Sequence, residues 1–126
     1  MIYAVGIDIV EVERIDEILK KWKEKFIKRV YSSGEITYCE NKAYPSVHYS
    51  ARFAAKEALI KCIGRGIWSG IKLKDIEVFN GEDGKPELRL HNNIKDMINN
   101  SAATYAHLSI SHTDKYATAI VVLEKL

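Results

Sequence analysis

The sequence predicts an α+β fold in which an antiparallel sheet packs against helices grouped in the first half of the chain. Three observations predict it. The opening MIYAVGIDIV is β-branched and aromatic, the next stretches carry apolar residues at helical spacing, and the rest is short apolar runs divided by glycine- and asparagine-rich turns.

From Ile2 to Val12 hardly any residue favours helix, which predicts a largely buried first strand with Asp8 inside it. Ile15, Ile18, Leu19, Trp22 and Phe26 then form one stripe ringed by Lys20, Lys21, Lys23, Lys25, Lys28 and Arg29, an amphipathic basic helix. Ser32 and Glu35 have capping-box spacing, so a short second helix starts there and ends before Pro45. A third helix is expected from about Ser46 to Ile63. It has Val47, Ala51, Ala54, Ala55, Ala58, Leu59 and Cys62 on one face and Gly64 as its left-handed stop. After the glycine-rich GRGIWSG, the runs DIEVF and PELRL read as a hairpin joined by NGEDGK. A polar helix over Asn92–Asn99 precedes two last strands, Tyr105–His112 and Tyr116–Glu124, joined through Thr113, Asp114 and Lys115. No repeat, low-complexity tract or Pro/Ser-rich linker divides the chain, so residues 1–126 are read as one domain.

Composition excludes several classes. With 47% hydrophobic and 29% charged residues, the chain is far from the polar composition of disordered segments. A net charge of +2 does not mark a nucleic-acid binder. Cys39 and Cys62 lack CxxC spacing and are read as reduced, which fits a cytoplasmic protein. The apolar start has no basic leader, and the closing AIVVL run is too short to span a bilayer, so neither export nor membrane insertion is expected.

Four residues invite a chemical reading. Asp8, flanked by Ile7 and Ile9, loses hydration and requires a cation or strong donors. An ion pair with Arg14, a solvated strand end, or a metal ion would each supply them. Glu57 is the natural second carboxylate, since magnesium sites use one or two carboxylates and fill their octahedron with water and phosphate oxygens. An ordinary i,i+4 pair with Lys61 is the plain alternative. On the helical wheel Glu57 and Lys61 take one flank and Arg52 and Lys56 the other, a placement expected to leave none of them fully buried. His112 ends an apolar strand beside Thr113, a position that faces either a cleft or a structural hydrogen-bond partner. The lysine-rich helix suits an acidic protein, an anionic surface, nucleic acid or plain solvent. Gly64, Gly66 and Gly70 permit close approach to phosphate but form no established phosphate motif.

Taken together and in order, GIDIVEVERI at Gly6 to Ile15, ARFAAKEALIKCIGRGI at Ala51 to Ile67, DGKPEL at Asp83 to Leu88 and LSISHTDKYATAIVV at Leu108 to Val122 resemble the bacterial holo-acyl-carrier-protein synthases, a 4'-phosphopantetheinyl transferase family. The remainder fits without a large insertion. Cys62 stands where the family commonly has alanine, and Trp68 is an addition.

The resemblance implies the 4'-phosphopantetheinyl transferase fold and transfer of phosphopantetheine from coenzyme A to a serine of apo-acyl carrier protein, in support of fatty acid biosynthesis. It implies Mg2+ held by Asp8 and Glu57, with Lys61 near the reacting diphosphate. Glu57, directly or through a water on the metal, is the proton acceptor it suggests. Arg52, His112 and Thr113 match positions near the coenzyme A phosphates, and Gly84, Lys85 and Pro86 the segment near adenine. Arg14, Ile18, Phe26, Arg29 and Phe53 are the expected carrier-docking residues. A homotrimer with an active site at each subunit interface is also implied, with neither nucleic acid nor membrane as partner. The competing readings are a small nucleic-acid-binding domain using the basic helix and a metal-dependent phosphoesterase that needs no carrier.

Overall fold

The computed structural model describes residues 1–64 and 70–125. In chain order the elements are β1 (Ile2–Glu11), α1 (Val12–Val30), α2 (Ser33–Glu40), α3 (Pro45–Ile63), a single 3-10 turn at Leu73–Asp75, β2 (Ile76–Asn80), β3 (Pro86–Leu90), α4 (Asn92–Asn99), β4 (Tyr105–His112) and β5 (Tyr116–Glu124). Strands β1, β5 and β4 form one antiparallel sheet in that order, and β2 and β3 form a separate hairpin. This is the expected α+β architecture. Gly66 and Trp68 lie outside the described residues.

Helix α3 crosses the sheet and holds the fold together. Ala54, Ala55 and Ala58 on the helix and Ala117 and Ala119 on β5 are all buried, and their small side chains bring the two backbones close. Leu59, Ile76, Val78, Ile94, Val121 and Leu123 complete that core. Gly6 is required here, because a Cβ on it would run into the carbonyl of Ala58. A second cluster, with Ile15, Leu19, Ile27, Val30, Tyr31 and Tyr49, lies between α1, α2 and α3. The capping box at Ser32 forms in both directions, Ser32 Oγ accepting from the Glu35 amide and Glu35 Oε1 accepting from the Ser32 amide.

Three expectations need correction. Strand β1 is not largely buried: Gly6 and Asp8 turn toward α3, while Ile7 and Ile9 point the other way and are 61% and 67% exposed. The period of two in a strand sets neighbours on opposite faces, and none of the described residues covers the outer one. Arg52 and Lys56 are buried after all, because α2 and the β2–β3 hairpin close over their flank of α3. Lys56 Nζ donates to Glu35 Oε1 at 2.7 Å and to the carbonyls of Leu73 and Ile76, while Glu35 Oε2 accepts from the Val78 amide at 3.1 Å. Gly64 does end α3 with a positive φ of 79°, but its ψ of −45° lies outside the left-handed helical well.

Candidate functional site

Asp8 projects from the face of β1 that lies on α3, and Glu57 and Lys61 occupy successive turns of that helix. Lys61 Nζ bonds Asp8 Oδ1 at 3.0 Å and the Ile7 carbonyl at 3.0 Å. The ammonium therefore goes to Asp8 rather than to Glu57 one turn away, and Asp8 pairs with Lys61 rather than with Arg14. Behind Asp8, Thr118 Oγ1 donates to its carbonyl at 2.8 Å and fixes the strand at that point.

Asp8 and Glu57 open into one cavity of about 340 Å³, lined also by Arg14, Ile15, Ile18 and Phe53. Burial pushes the Glu57 carboxyl above its ordinary range, the Asp8 charge pushes it further, and Lys61 opposes the rise. Two carboxylates near enough to repel form an oxygen-only donor pair. That set suits a hard divalent cation which keeps most of its positions for water and phosphate. Among the described residues no cluster of three or more His, Cys, Asp or Glu side chains offers a closed metal site. The pair fits Mg2+ of the open, substrate-sharing kind.

The residues expected at the nucleotide lie elsewhere. His112 and Thr113 line a larger cleft of about 1100 Å³ with Glu11, Asp16, Tyr44, Ser46 and His48. Glu11 borders both cavities. Gly84, Lys85 and Pro86 form the tight end of the β2–β3 hairpin, where the Gly84 amide donates to the Gly81 carbonyl and the Gly81 amide to that of Lys85, each at 2.9 Å. Arg52 is 4% exposed. It donates to Asn80 Oδ1 at 3.0 Å, and Asn80 Nδ2 donates to the Gly84 carbonyl at 2.9 Å, so one chain of polar contacts ties α3 to the hairpin tip.

Three residues that sequence reasoning passed over extend this chain: Asn80, Tyr38 and His48. The Arg52 guanidinium stacks on Tyr38 at 3.9 Å, the Tyr38 ring meets His48 edge-on at 5.9 Å, and His48 meets His112 edge-on at 5.4 Å. The i,i+4 spacing of His48 and Arg52 on α3 was the available signal.

The docking residues divide. Arg14, Ile18 and Phe53 line the carboxylate cavity, and Phe26 packs on Phe53 at 6.2 Å. Arg29 is exposed in the last turn of α1, outside that lining. Between them α1 loses helical torsions at Trp22, whose exposed ring carries Lys21 and Lys25 at 5.5 and 5.7 Å.

Comparison with known proteins places this geometry. The 4'-phosphopantetheinyl transferase superfamily matches residues 4–121. The holo-[acyl-carrier-protein] synthase of Syntrophus aciditrophicus is 45% identical, with 100% of this chain and 98% of that protein covered. That of Halothermothrix orenii is 46% identical over 99% of each. The crystal structure of the holo-[acyl-carrier-protein] synthase from Neisseria meningitidis superposes with a TM-score of 0.90 at 31% identity, covering 99% of this chain and 100% of that one. The Bacillus anthracis enzyme, in complex with CoA (3',5'-ADP), gives 0.81 at 36% identity, covering 100% and 99%.

Proposed function

This chain belongs to the 4'-phosphopantetheinyl transferase superfamily, and from that membership we propose that it transfers 4'-phosphopantetheine from coenzyme A to a serine of apo-acyl carrier protein, as a single catalytic domain. Holo-acyl carrier protein and adenosine 3',5'-bisphosphate are the products, and the reaction supports fatty acid biosynthesis. The observation that carries the reading is the convergence of Asp8, Glu57 and Lys61 where β1 meets α3, in a cavity bordered by Arg14, Ile18 and Phe53.

Asp8 and Glu57 would hold Mg2+, which would supply positive charge to neutralise the diphosphate of coenzyme A. Glu57, directly or through a water, takes the proton of the carrier serine. The serine oxygen bonds to the β-phosphorus as the anhydride bond breaks, and Lys61 stabilises the charge that collects on the departing phosphate. His112 and Thr113 hold the nucleotide phosphates. Arg52 acts beside them, bracing through Asn80 the hairpin tip where Gly84, Lys85 and Pro86 meet the adenine end. The basic face of α1, from Arg14 to Arg29, opposes the acidic carrier, with Ile18, Phe26 and Phe53 as apolar contacts.

A homotrimer belongs to the same reading. The outer sheet face presents Val5, Ile7 and Ile9 of β1 beside Thr118, Ile120 and Val122 of β5 and His107, Ser109 and Ser111 of β4, with acidic residues only at its ends, Glu11 and Glu124, the second bonded to His107. A bare, nearly uncharged face suits a second copy of the chain better than an acidic carrier or a polyanionic nucleotide. Assembly on it lets the histidine cleft of one subunit complete the carboxylate cavity of the next. No helix among the described residues is long and apolar enough to cross a membrane, which agrees with a cytoplasmic enzyme.

The test is incubation with magnesium, coenzyme A and apo-acyl carrier protein, followed by intact-mass measurement. One phosphopantetheine increment on the carrier is expected, and its absence overturns the reading. Hydrolysis of phosphate esters without a carrier would point to a phosphoesterase.

A further inference from the structure

Among the described residues one ion pair is fully buried, and it lies on α3 beside Glu57. Lys56 Nζ and Glu35 Oε1 are 2.7 Å apart, and both side chains are 0% exposed. The ammonium directs all its donors inward, to Glu35 on α2, to the Leu73 carbonyl of the 3-10 turn at 2.9 Å, and to the Ile76 carbonyl where β2 begins. Glu35 is equally committed: its Oε1 also accepts from the Ser32 amide at 2.9 Å, and its Oε2 from the Val78 amide at 3.1 Å. Lys56 has no donor left for a ligand, and neither partner lines the carboxylate cavity or the larger cleft.

Stability alone does not account for this pair. Apolar side chains of similar volume would hold such a place as well or better, because desolvating two charges offsets most of their attraction. What the pair adds is direction, since three acceptors from three elements define one position for Nζ. The rest of the α3 interface defines less. Ala51, Ala54, Ala55 and Ala58 give the helix a buried face of single methyl groups, and so smooth a face has few ridges to resist rotation about the helix axis. Glu57 follows Lys56 by about 100° around that axis, and Lys61 stands one turn beyond Glu57. On a helix about 10–12 Å across, a turn of about 10° carries the end of a side chain through about 1 Å. A misplacement of that size can cost about 100-fold in rate.

We propose that Lys56 is a positioning residue for the transfer reaction: anchored on Glu35, Leu73 and Ile76, it fixes the rotational setting of α3 and so aims Glu57 and Lys61 at Asp8. The inference rests on the transfer reading above. Lys56 touches neither substrate nor metal. It acts through the helix backbone, and α2 and the start of β2 are the frame against which the helix is set.

Calorimetry on the full chain decides it, by setting Tm against the affinity of the folded protein for Mg2+. Lys56→Met leaves Glu35 charged and unpaired in the interior and should lower Tm sharply. Lys56→Met combined with Glu35→Gln removes both charges and carries the comparison if the single variant folds poorly. In the double variant much of the lost Tm should return. Mg2+ should nevertheless bind about 10- to 100-fold more weakly and carrier loading should slow to a similar extent, the scale seen when a group that orients a metal ligand is removed. Ile94→Ala, which opens a cavity under α4, should lower Tm and leave Mg2+ affinity unchanged. Unaltered Mg2+ affinity in a folded double variant, or an equal loss in Ile94→Ala, overturns the positioning role alone. If the unaltered protein neither binds Mg2+ nor loads a carrier, the transfer reading and this inference fail together.

Discussion

Lys61 Nζ lies 3.0 Å from Asp8 Oδ1, so the ammonium neutralises one of the two carboxylates that open into the smaller cavity. The same contact that pairs Asp8 in the free protein must loosen when a divalent ion arrives. Lys61→Met should therefore tighten Mg2+ binding to the free enzyme, because a competing cation is gone. Turnover should fall by about 100-fold, on the scale of removing one group that meets charge developing in a transition state. Metal titration and steady-state transfer rates separate the two effects; parallel losses in both would show that Lys61 only builds the metal site.

Glu57 carries a stability cost that the function imposes. Its carboxyl is raised above the ordinary 4.5 by burial and by Asp8. A carboxylate whose folded pKa lies above its unfolded one favours folding while protonated, and that advantage is lost as pH rises through the folded value. Near neutral pH the ionised Glu57 works against the fold. Glu57→Gln should thus raise the Tm of the metal-free protein near neutral pH, and the gain should shrink as pH falls below the ordinary carboxylate range. Saturating Mg2+ should stabilise the unaltered protein and leave the variant nearly unmoved. Scanning calorimetry across pH, with and without Mg2+, measures both.

Much of this site was legible in the sequence, and the parts that were not have identifiable physical causes. Helix α4 and strands β4 and β5 span the residues expected of them, because period and turn chemistry are local signals. The ARFAAKEAL run gave α3 and its alanine face, and the carboxylate pair came from residue type and family resemblance together. What escaped was tertiary. Which face of β1 is covered depends on where α3 lies, and so the exposure of Ile7 and Ile9 was missed. That Lys56 is buried follows from Glu35, 21 residues away, coming to meet it. His48 was passed over because its meaning depends on His112 across the sheet.

The bare sheet face gives a prediction about assembly. Ile7 lies opposite Ile120 in the β1–β5 register, near the middle of the outer row, and Ile7→Glu would place a charge there at little cost to an isolated subunit. Light scattering should show a trimer for the unaltered protein and a monomer for the variant, with the circular dichroism spectrum retained and transfer lost. Trp22→Ala, at an exposed ring on α1, should leave the mass of the assembly unchanged. A variant that remains a trimer would remove this face from the interface.

Gly6 tests how the site depends on backbone approach. A Cβ at Gly6 would overlap the Ala58 carbonyl oxygen and press on Cys62 Sγ at 3.0 Å. The sulfur can turn aside, but the carbonyl belongs to the helix backbone, so Gly6→Ala must drive β1 and α3 apart. Asp8 moves with the strand and Glu57 with the helix, and the separation is applied directly to the pair. Overpacking of this kind costs about 1–3 kcal/mol, which leaves a folded protein to assay. Mg2+ affinity and transfer rate should both fall by more than the lost stability explains, because every folded molecule now holds its carboxylates too far apart. Cys62→Ala in the same background should not restore them, since it relieves the flexible contact and leaves the rigid one. If Gly6→Ala keeps full metal affinity and full turnover, the close approach of β1 to α3 is a packing detail and does not set the geometry of the carboxylates.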